Sequence, residues 1–176
     1  VESQRLRTGR LAPDDWPRLT TACDRLSKAP IYVDDTGSTT IMELRSKASR
    51  LKSREPNLGL IVVDYIQLMT SGATAENRVQ EVSQISRALK VLARDLDVPI
   101  LAMSQLSRAV EQRHDKRPLL SDLRESGSLE QDSDLVAFVY RDEYYLGEES
   151  DQQGIAEIIL AKHRNGPTGT TKLSFL

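Results

Sequence analysis

A single cysteine, Cys23, cannot close an internal disulfide or a cysteine-rich zinc site, and that scarcity fits a reducing cytosol. An excess of one charge is missing too. Lys and Arg number 24 against 26 Asp and Glu, a formal net charge of −2, so the chain as a whole is not a basic nucleic-acid binder. Any anionic partner would have to be met by a local basic patch. No apolar run approaches the ~20 residues of a membrane span, and the N-terminus lacks a signal-peptide pattern. A cytoplasmic protein with no membrane partner is the expectation. The chain opens without Met, at "VESQRLRTGRL", and stops at "KLSFL" in mid-strand, so both ends read as cut.

What is present suits one α/β domain. The length of 176 residues supports a sizeable core, and 39% hydrophobic with 28% charged residues is ordinary for a globular chain. "PDDWPRLTTACDRLSKA" (13–29) places Trp16, Leu19, Cys23 and Leu26 at helical spacing. "IYVDD" (31–35) reads as a short strand. Thr40 with Glu43 resembles a capping box opening a helix from about Ile41 to Arg54. A strand over Leu60–Val63 follows. The clearest helix spans 76–97, where Val79, Val82, Ile85, Leu89, Leu92 and Leu96 recur every three or four residues. Strands are then predicted over 99–104, 134–140, 154–162 and 170–176, the last two closing as a hairpin around "HRNGPTG". Alternation of strands with helices predicts a sheet that starts parallel and gains an antiparallel edge.

Several strands finish in a polar residue: Asp64, Ser104-Gln105, Arg141-Asp142, and Lys162-His163-Arg164. Ligands of open α/β sheets bind beyond the carboxyl ends of the strands, so four polar ends suggest one shared site. An aliphatic strand ending in Asp is the Walker B pattern, whose carboxylate holds the water shell of a phosphate-bound magnesium. Gln105 could hydrogen-bond a terminal phosphate while staying neutral, and Lys162 and Arg164 would neutralise developing charge. A Walker B needs a Walker A, yet no Gly precedes Lys-Ser or Lys-Thr anywhere in the chain. Two explanations compete: Asp64 is a plain strand-end acid, or the phosphate loop lies upstream of residue 1. The cut-looking N-terminus favours the second.

"LIVVDYIQLM", "MSQLSRAVEQR", "DKRPLLSDLRESGSLEQDSD", "YRDEYY" and "KHRNGPTGTTKLSF" resemble, in order and over nearly the whole chain, the C-terminal ATPase domain of bacterial replicative DNA helicases of the DnaB type. "RLRTGRLAPDDW" is similar to the segment after that family's phosphate loop and glutamate motif. The resemblance implies a RecA-like α/β fold, with a mostly parallel central sheet flanked by helices and an antiparallel hairpin at the C-terminal edge. It also implies a homo-hexameric ring that encircles single-stranded DNA and moves 5′→3′ using ATP and Mg2+. Primase and a helicase loader are the implied partners of the full-length protein. By the same resemblance Asp64 matches the Walker B acid and Gln105 the γ-phosphate sensor. Arg164 matches the arginine finger that reaches the neighbouring subunit's nucleotide, with Lys162 beside it. Arg141 joins the nucleotide-binding candidates as the third strand end, and His163 reads as a surface histidine. The family's phosphate-loop Lys and Thr and its catalytic Glu have no counterpart here. Residues 1–176 are therefore expected to be one ATPase domain truncated before residue 1 and inactive alone.

From Leu106 to Ser133 no strong apolar period appears, and an unstructured stretch of that length is uncommon unless functional or disordered. Its mixed charges alone describe a solvated face. The resemblance implies that loops here line the ring's channel, nominating Arg124, Glu125 and Gly127 of "RESG", with Lys116 and Arg117 nearby. The region 70–78, ending in Arg78, is the second candidate. Few aromatics occur in either, which favours phosphate tracking over base stacking. Two other readings stand beside the helicase. One is a recombinase or clock-type ATPase, against which "SDLRESGSLEQD" and "KHRNGP" argue. The other is a piece that acts only as an oligomerisation or DNA-binding module.

Overall fold

The computed structural model describes residues 1–72 and 77–176, the side chains of 124–126 excepted. By its internal contacts the chain divides into two units, 1–36 and 37–176.

In the first unit α1 (Ser3–Thr8) ends at Gly9, whose φ of 68° is the left-handed turn that glycine adopts without strain. α2 (Asp15–Ser27) lies where the helical spacing put it. Asp15 is the one buried residue of α2, accepting from the Ala12 amide at 3.1 Å. Trp16 and Leu26 are exposed. The strand expected over 31–35 is absent: those residues pair with no described strand, and Tyr32 and Val33 are exposed. β-favouring side chains form a strand only where a ladder partner exists.

The second unit begins with α3 (Ile41–Arg54). Its capping box forms as the sequence predicts: Thr40 Oγ1 accepts from the Glu43 amide at 3.2 Å, and the Glu43 carboxylate accepts from the Thr40 amide at 2.8 Å. β1 (Ile61–Val63) leads through a 3-10 turn at Ile66–Leu68 to α4 (Arg78–Leu96), capped by Asn77, whose side-chain oxygen accepts from the Gln80 amide at 2.9 Å. β2 (Ile100–Ala102) pairs parallel to β1, Ile61 opposite Ile100. Val82, Ile85 and Leu89 of α4 pack with Val63, Ile66 and Met69, and Ile61 and Ile100 join them.

Only one face of this parallel pair is covered. Val62, Leu60, Leu101 and Met103 share the other face and are each about half exposed. The strand is therefore not buried on both sides, and Asp64 at its end is exposed rather than desolvated.

Residues 106–133 are not one long loop. They form α5 (Ala109–Gln112), a 3-10 stretch over Leu120–Ser126 and α6 (Gly127–Asp132), and they send Val110, Leu123 and Leu129 into the interior. Elements this short carry too few turns for an apolar period to register. β3 (Leu135–Tyr140) alternates strictly, burying Val136, Phe138 and Tyr140. α7 (Asp142–Leu146) leads on to β4 (Ile155–His163) and β5 (Gly169–Ser174), which close the predicted hairpin. The antiparallel part exceeds that hairpin, because β3 itself pairs antiparallel with β4 in a three-stranded sheet. Among the described strands parallel pairing is confined to β1 and β2, with one isolated parallel bridge between Thr40 and Thr70. No helix among them is long and apolar enough to cross a membrane.

Candidate functional site

The parallel register brings Asp64 and Gln105 to neighbouring strand ends. The Met103 amide donates to the Val63 carbonyl at 2.9 Å, and the Ile66 amide returns to the Met103 carbonyl at 3.0 Å, so the ladder continues past both strands. Gln67 then clamps the turn that carries the sensor candidate. Its Nε2 donates to Ser104 Oγ at 2.9 Å and to the Gln105 carbonyl at 3.4 Å, while its Oε1 accepts from the Gln105 amide at 3.3 Å. The Gln105 side chain stays exposed, and so does the Asp64 carboxylate. Neither Asp64 nor the Gln105 side chain has a hydrogen-bond or ion-pair partner among the described residues.

Arg78 supports the same end. Its guanidinium donates to the Gln67 carbonyl at 2.7 Å and the Met69 carbonyl at 3.3 Å, and it pairs with Glu81. That pairing, with the Ser71 amide as second donor, holds the Glu81 carboxyl below its ordinary range. Arg78 is thus committed to fixing the 64–72 turn, and Ala73 to Glu76 of the second DNA-loop candidate lie outside the described residues.

Lys162 and Arg164 sit elsewhere. In the antiparallel register Leu135 faces His163 and Tyr140 faces Glu157, so the carboxyl end of β4 lies at the start of β3. Lys162 Nζ donates to the Glu130 carbonyl, Arg164 donates to the Gln131 carbonyl at 3.1 Å, and the Arg164 amide donates to the Asp134 carbonyl at 2.8 Å. Asp134 also accepts from Lys90 of α4, which holds its carboxyl below the usual range. Lys90 lies twelve residues past Arg78 on α4, about 18 Å at 1.5 Å per residue. The four polar strand ends therefore do not form one site within a single chain. An antiparallel β4 cannot end where β3 ends.

Arg141 is at the other end of β3. Its guanidinium pairs with Glu143 at 3.2 Å and lies 3.8 Å over the Phe175 ring, its Nε buried without a hydrogen-bond partner. His163 folds over the hairpin turn, its Nδ1 3.2 Å from the Pro167 carbonyl, and a Cβ at Gly166 would meet its ring at 2.4 Å.

The basic residues of 106–117 are largely spent on the chain itself. Arg113 makes a two-pronged bond to Asp122 at 2.7 and 2.9 Å, and Asp122 is 3% exposed. Lys116 donates to the Glu111 carbonyl. Arg117 pairs with buried Glu157 and lies 5.1 Å from the Tyr140 ring centroid. Arg108 alone among these is exposed without a described partner. Arg124 and Glu125 have side chains outside the described set. Gly127 opens α6 at a helical φ of −49°, and a Cβ there would meet nothing within 4 Å, so the chain's own packing does not require glycine.

α6 lies along a polar stripe of α4. Ser128 donates to Ser83 at 2.9 Å, and Ser86 donates to Asp132 at 2.8 Å, with the Lys90–Asp134 pair one turn beyond. Gln67, Lys90 and Asp134 are residues that sequence reasoning missed. The Gln67 contacts to Ser104 and Gln105 span 37 and 38 positions and the Lys90–Asp134 contact spans 44, so no local pattern announces them.

Comparison with known proteins identifies the family and the fold. The model of the DnaB-like helicase C-terminal domain matches residues 1–176. The chain is 58% identical to the replicative DNA helicase DnaB of Geobacillus stearothermophilus, covering 100% of the chain and 38% of that protein. It is 55% identical to the replicative DNA helicase DnaC of Bacillus subtilis (strain 168), with the same coverage. Among solved structures, one ATPase domain superposes with a TM-score of 0.95 at 44% identity, over 100% of this chain and 63% of that one. A DnaB-like replicative helicase, described with its interactions with primase, gives 0.94 at 44% identity over 100% of this chain and 42% of that one. The chain thus spans about two fifths of these two curated relatives, 38% of each. With a RecA-like α/β fold and a match from first residue to last, the chain belongs to the DnaB-like helicase C-terminal domain family.

Proposed function

We propose that this chain is part of a hexameric replicative helicase that hydrolyses ATP at its subunit interfaces to move 5′→3′ along single-stranded DNA and unwind the duplex. The observation that carries the reading is the antiparallel register of β3 and β4. It sets Lys162 and Arg164 at the far end of β3 from Arg141, beside Asp134 and Lys90 rather than beside Gln67 and Arg78, which supports an arginine supplied to the Asp64–Gln105 end by a neighbouring protomer.

The residues fit a magnesium nucleotide. Mg2+ keeps several waters and takes one or two carboxylates besides the phosphates, so a single exposed and unpartnered Asp64 suffices. When bound, the ion would supply neutralisation of charge on the phosphate oxygens. Asp64 would hold a water of its shell, and Gln105, fixed through its backbone by Gln67, would donate to the terminal phosphate. Arg164 would meet charge developing on the partner's nucleotide, an effect worth roughly 10³–10⁵ in rate in comparable systems. The phosphate cradle and the catalytic glutamate would come from chain outside these 176 residues. Within that whole, residues 1–176 are the later portion of a RecA-like ATPase domain. Arg124 and Gly127 are the proposed DNA contacts, with Glu125 orienting Arg124 or a neighbouring amide and Arg108 a further contact, and primase and a loader are the proposed partners.

The test is subunit mixing in the full-length protein. Arg164→Ala and Asp64→Ala hexamers should each lose turnover, and mixed rings should recover part of it, since some interfaces then join an intact Asp64 to an intact Arg164. No recovery at any ratio would refute action in trans.

A further inference from the structure

Resting on that reading of Arg164, we propose that Asp134 is a positioning residue that retains the arginine in its own subunit, and that Lys90 sets how strongly it does so.

The Arg164 guanidinium is about half exposed and is engaged on two sides, donating to the Gln131 carbonyl at 3.1 Å and lying 3.5 Å through Nε from Asp134 Oδ1. To reach a neighbour's phosphate it must leave both. The residue's base does not move with it, because the Arg164 amide is bonded to the Asp134 carbonyl where β3 and β4 begin their ladder. Retention therefore acts on the side chain alone. Lys162 is held in the same way by the Glu130 carbonyl, so the last carbonyls of α6 cradle both cations. α6 is in turn fixed to α4 through Ser83 and Ser86.

Asp134 has two oxygens and two ion-paired cations, Lys90 and Arg164, with Lys162 acting on it at longer range. Lys90 takes Oδ2, leaving Oδ1 for Arg164 at the longer distance. Removing Lys90 leaves more of the carboxylate charge to the arginine, since Lys162 is bonded to the Glu130 carbonyl instead, and tightens retention. Neutralising Asp134 releases it. The pair is solvent-exposed, and exposed ion pairs are weak, so the bias is small and reversible. The expected effects are about two- to fivefold, not all or none. Release and tightening have opposite signs, which no purely structural role for these residues would produce.

The experiment measures DNA-free ATP turnover by the full-length hexamer, with assembly checked for each variant. Arg164→Ala must first abolish turnover; if it does not, the finger reading fails, and retention with it. Given that loss, Asp134→Asn should raise turnover about two- to fivefold, Lys90→Met should lower it by a similar factor, and Lys90→Arg should return it toward the starting value. Should Asp134→Asn fail to assemble, the Lys90 variants decide. The Lys90→Met deficit, relative to the unmodified protein at each salt concentration, should shrink as ionic strength rises. Changes of the same sign in Asp134→Asn and Lys90→Met, or no change in Lys90→Met, would overturn the proposal while leaving the finger reading intact.

Discussion

Gln67 and Gln105 are joined twice across the ends of two parallel strands, the Gln67 side chain accepting from the Gln105 amide at 3.3 Å and donating to its carbonyl at 3.4 Å. One side chain thus sets the backbone from which the proposed phosphate sensor projects. Replacing Gln67 by Ala removes these bonds and the one to Ser104, at a net cost of about 1–2 kcal/mol in stability. Turnover by the full-length protein should fall about tenfold or more, because a sub-ångström shift of a positioned group already costs rate. Denaturant midpoints and steady-state kinetics measure the two effects. Unchanged turnover would separate Gln67 from the site.

Asp64 predicts the opposite split. It is exposed and has no partner among the described residues, so Asp64→Ala should leave stability within about 0.5 kcal/mol. Loss of a charge that acts only on the reacting nucleotide should still cut turnover by roughly 10²–10³. A destabilised variant would mean that Asp64 serves the fold instead.

Arg117 is a DNA candidate by its place in the sequence, but its geometry argues for a structural duty. Glu157 is 5% exposed and pairs with Arg117, with Lys172 3.9 Å away on β5. Arg117→Ala would leave that carboxylate poorly compensated. A cost of about 2 kcal/mol is expected, below the ~3–5 of fully buried pairs because the guanidinium remains partly solvated. The salt dependence of single-strand binding should not change. If the slope of log K against log salt flattened by about 0.7, Arg117 would be neutralising a phosphate after all.

These cases mark what a sequence can and cannot carry. The Thr40–Glu43 capping box and the stripe Val82, Ile85, Leu89, Leu92 are legible because their partners lie within one or two helical turns. Asp64 and Gln105 are legible as strand ends, since an aliphatic run that halts at a polar residue is a local event. The placing of Arg164 relative to them is not, because it depends on whether β4 runs parallel or antiparallel to β3. Chemistry at positions 162–164 says nothing of direction. Ile31–Val33 misleads for a related reason: the side chains favour a strand, but no described strand lies alongside. The commitment of Arg113 and Arg117 to Asp122 and Glu157 is equally hidden, as a mixed-charge run does not say which acids fold inward.

Tyr140 supplies a prediction in pH. Its hydroxyl donates to Asp142 Oδ1 at 2.9 Å, and Asp142 also accepts from Ser150 at 2.6 Å. Burial first, then this bond to a carboxylate, push the Tyr140 hydroxyl up to about 12. An unfolded tyrosine ionises near pH ~10. Between those values the folded chain keeps a proton that the unfolded chain has released, so stability must fall as pH rises through that window. Below about pH 10 the contribution is fully present. The loss should reach on the order of 2 kcal/mol by about pH 12, since each tenfold change in proton affinity is worth ~1.4 kcal/mol. Tyr140→Phe cannot ionise and should show a shallower decline over the same range, although it starts lower for want of the hydrogen bond. Denaturation midpoints taken at intervals from about pH 9 to 12 for both proteins measure the difference. Parallel curves would mean that Tyr140 ionises no later in the fold than outside it, and that the Tyr140–Asp142 bond does not persist in solution.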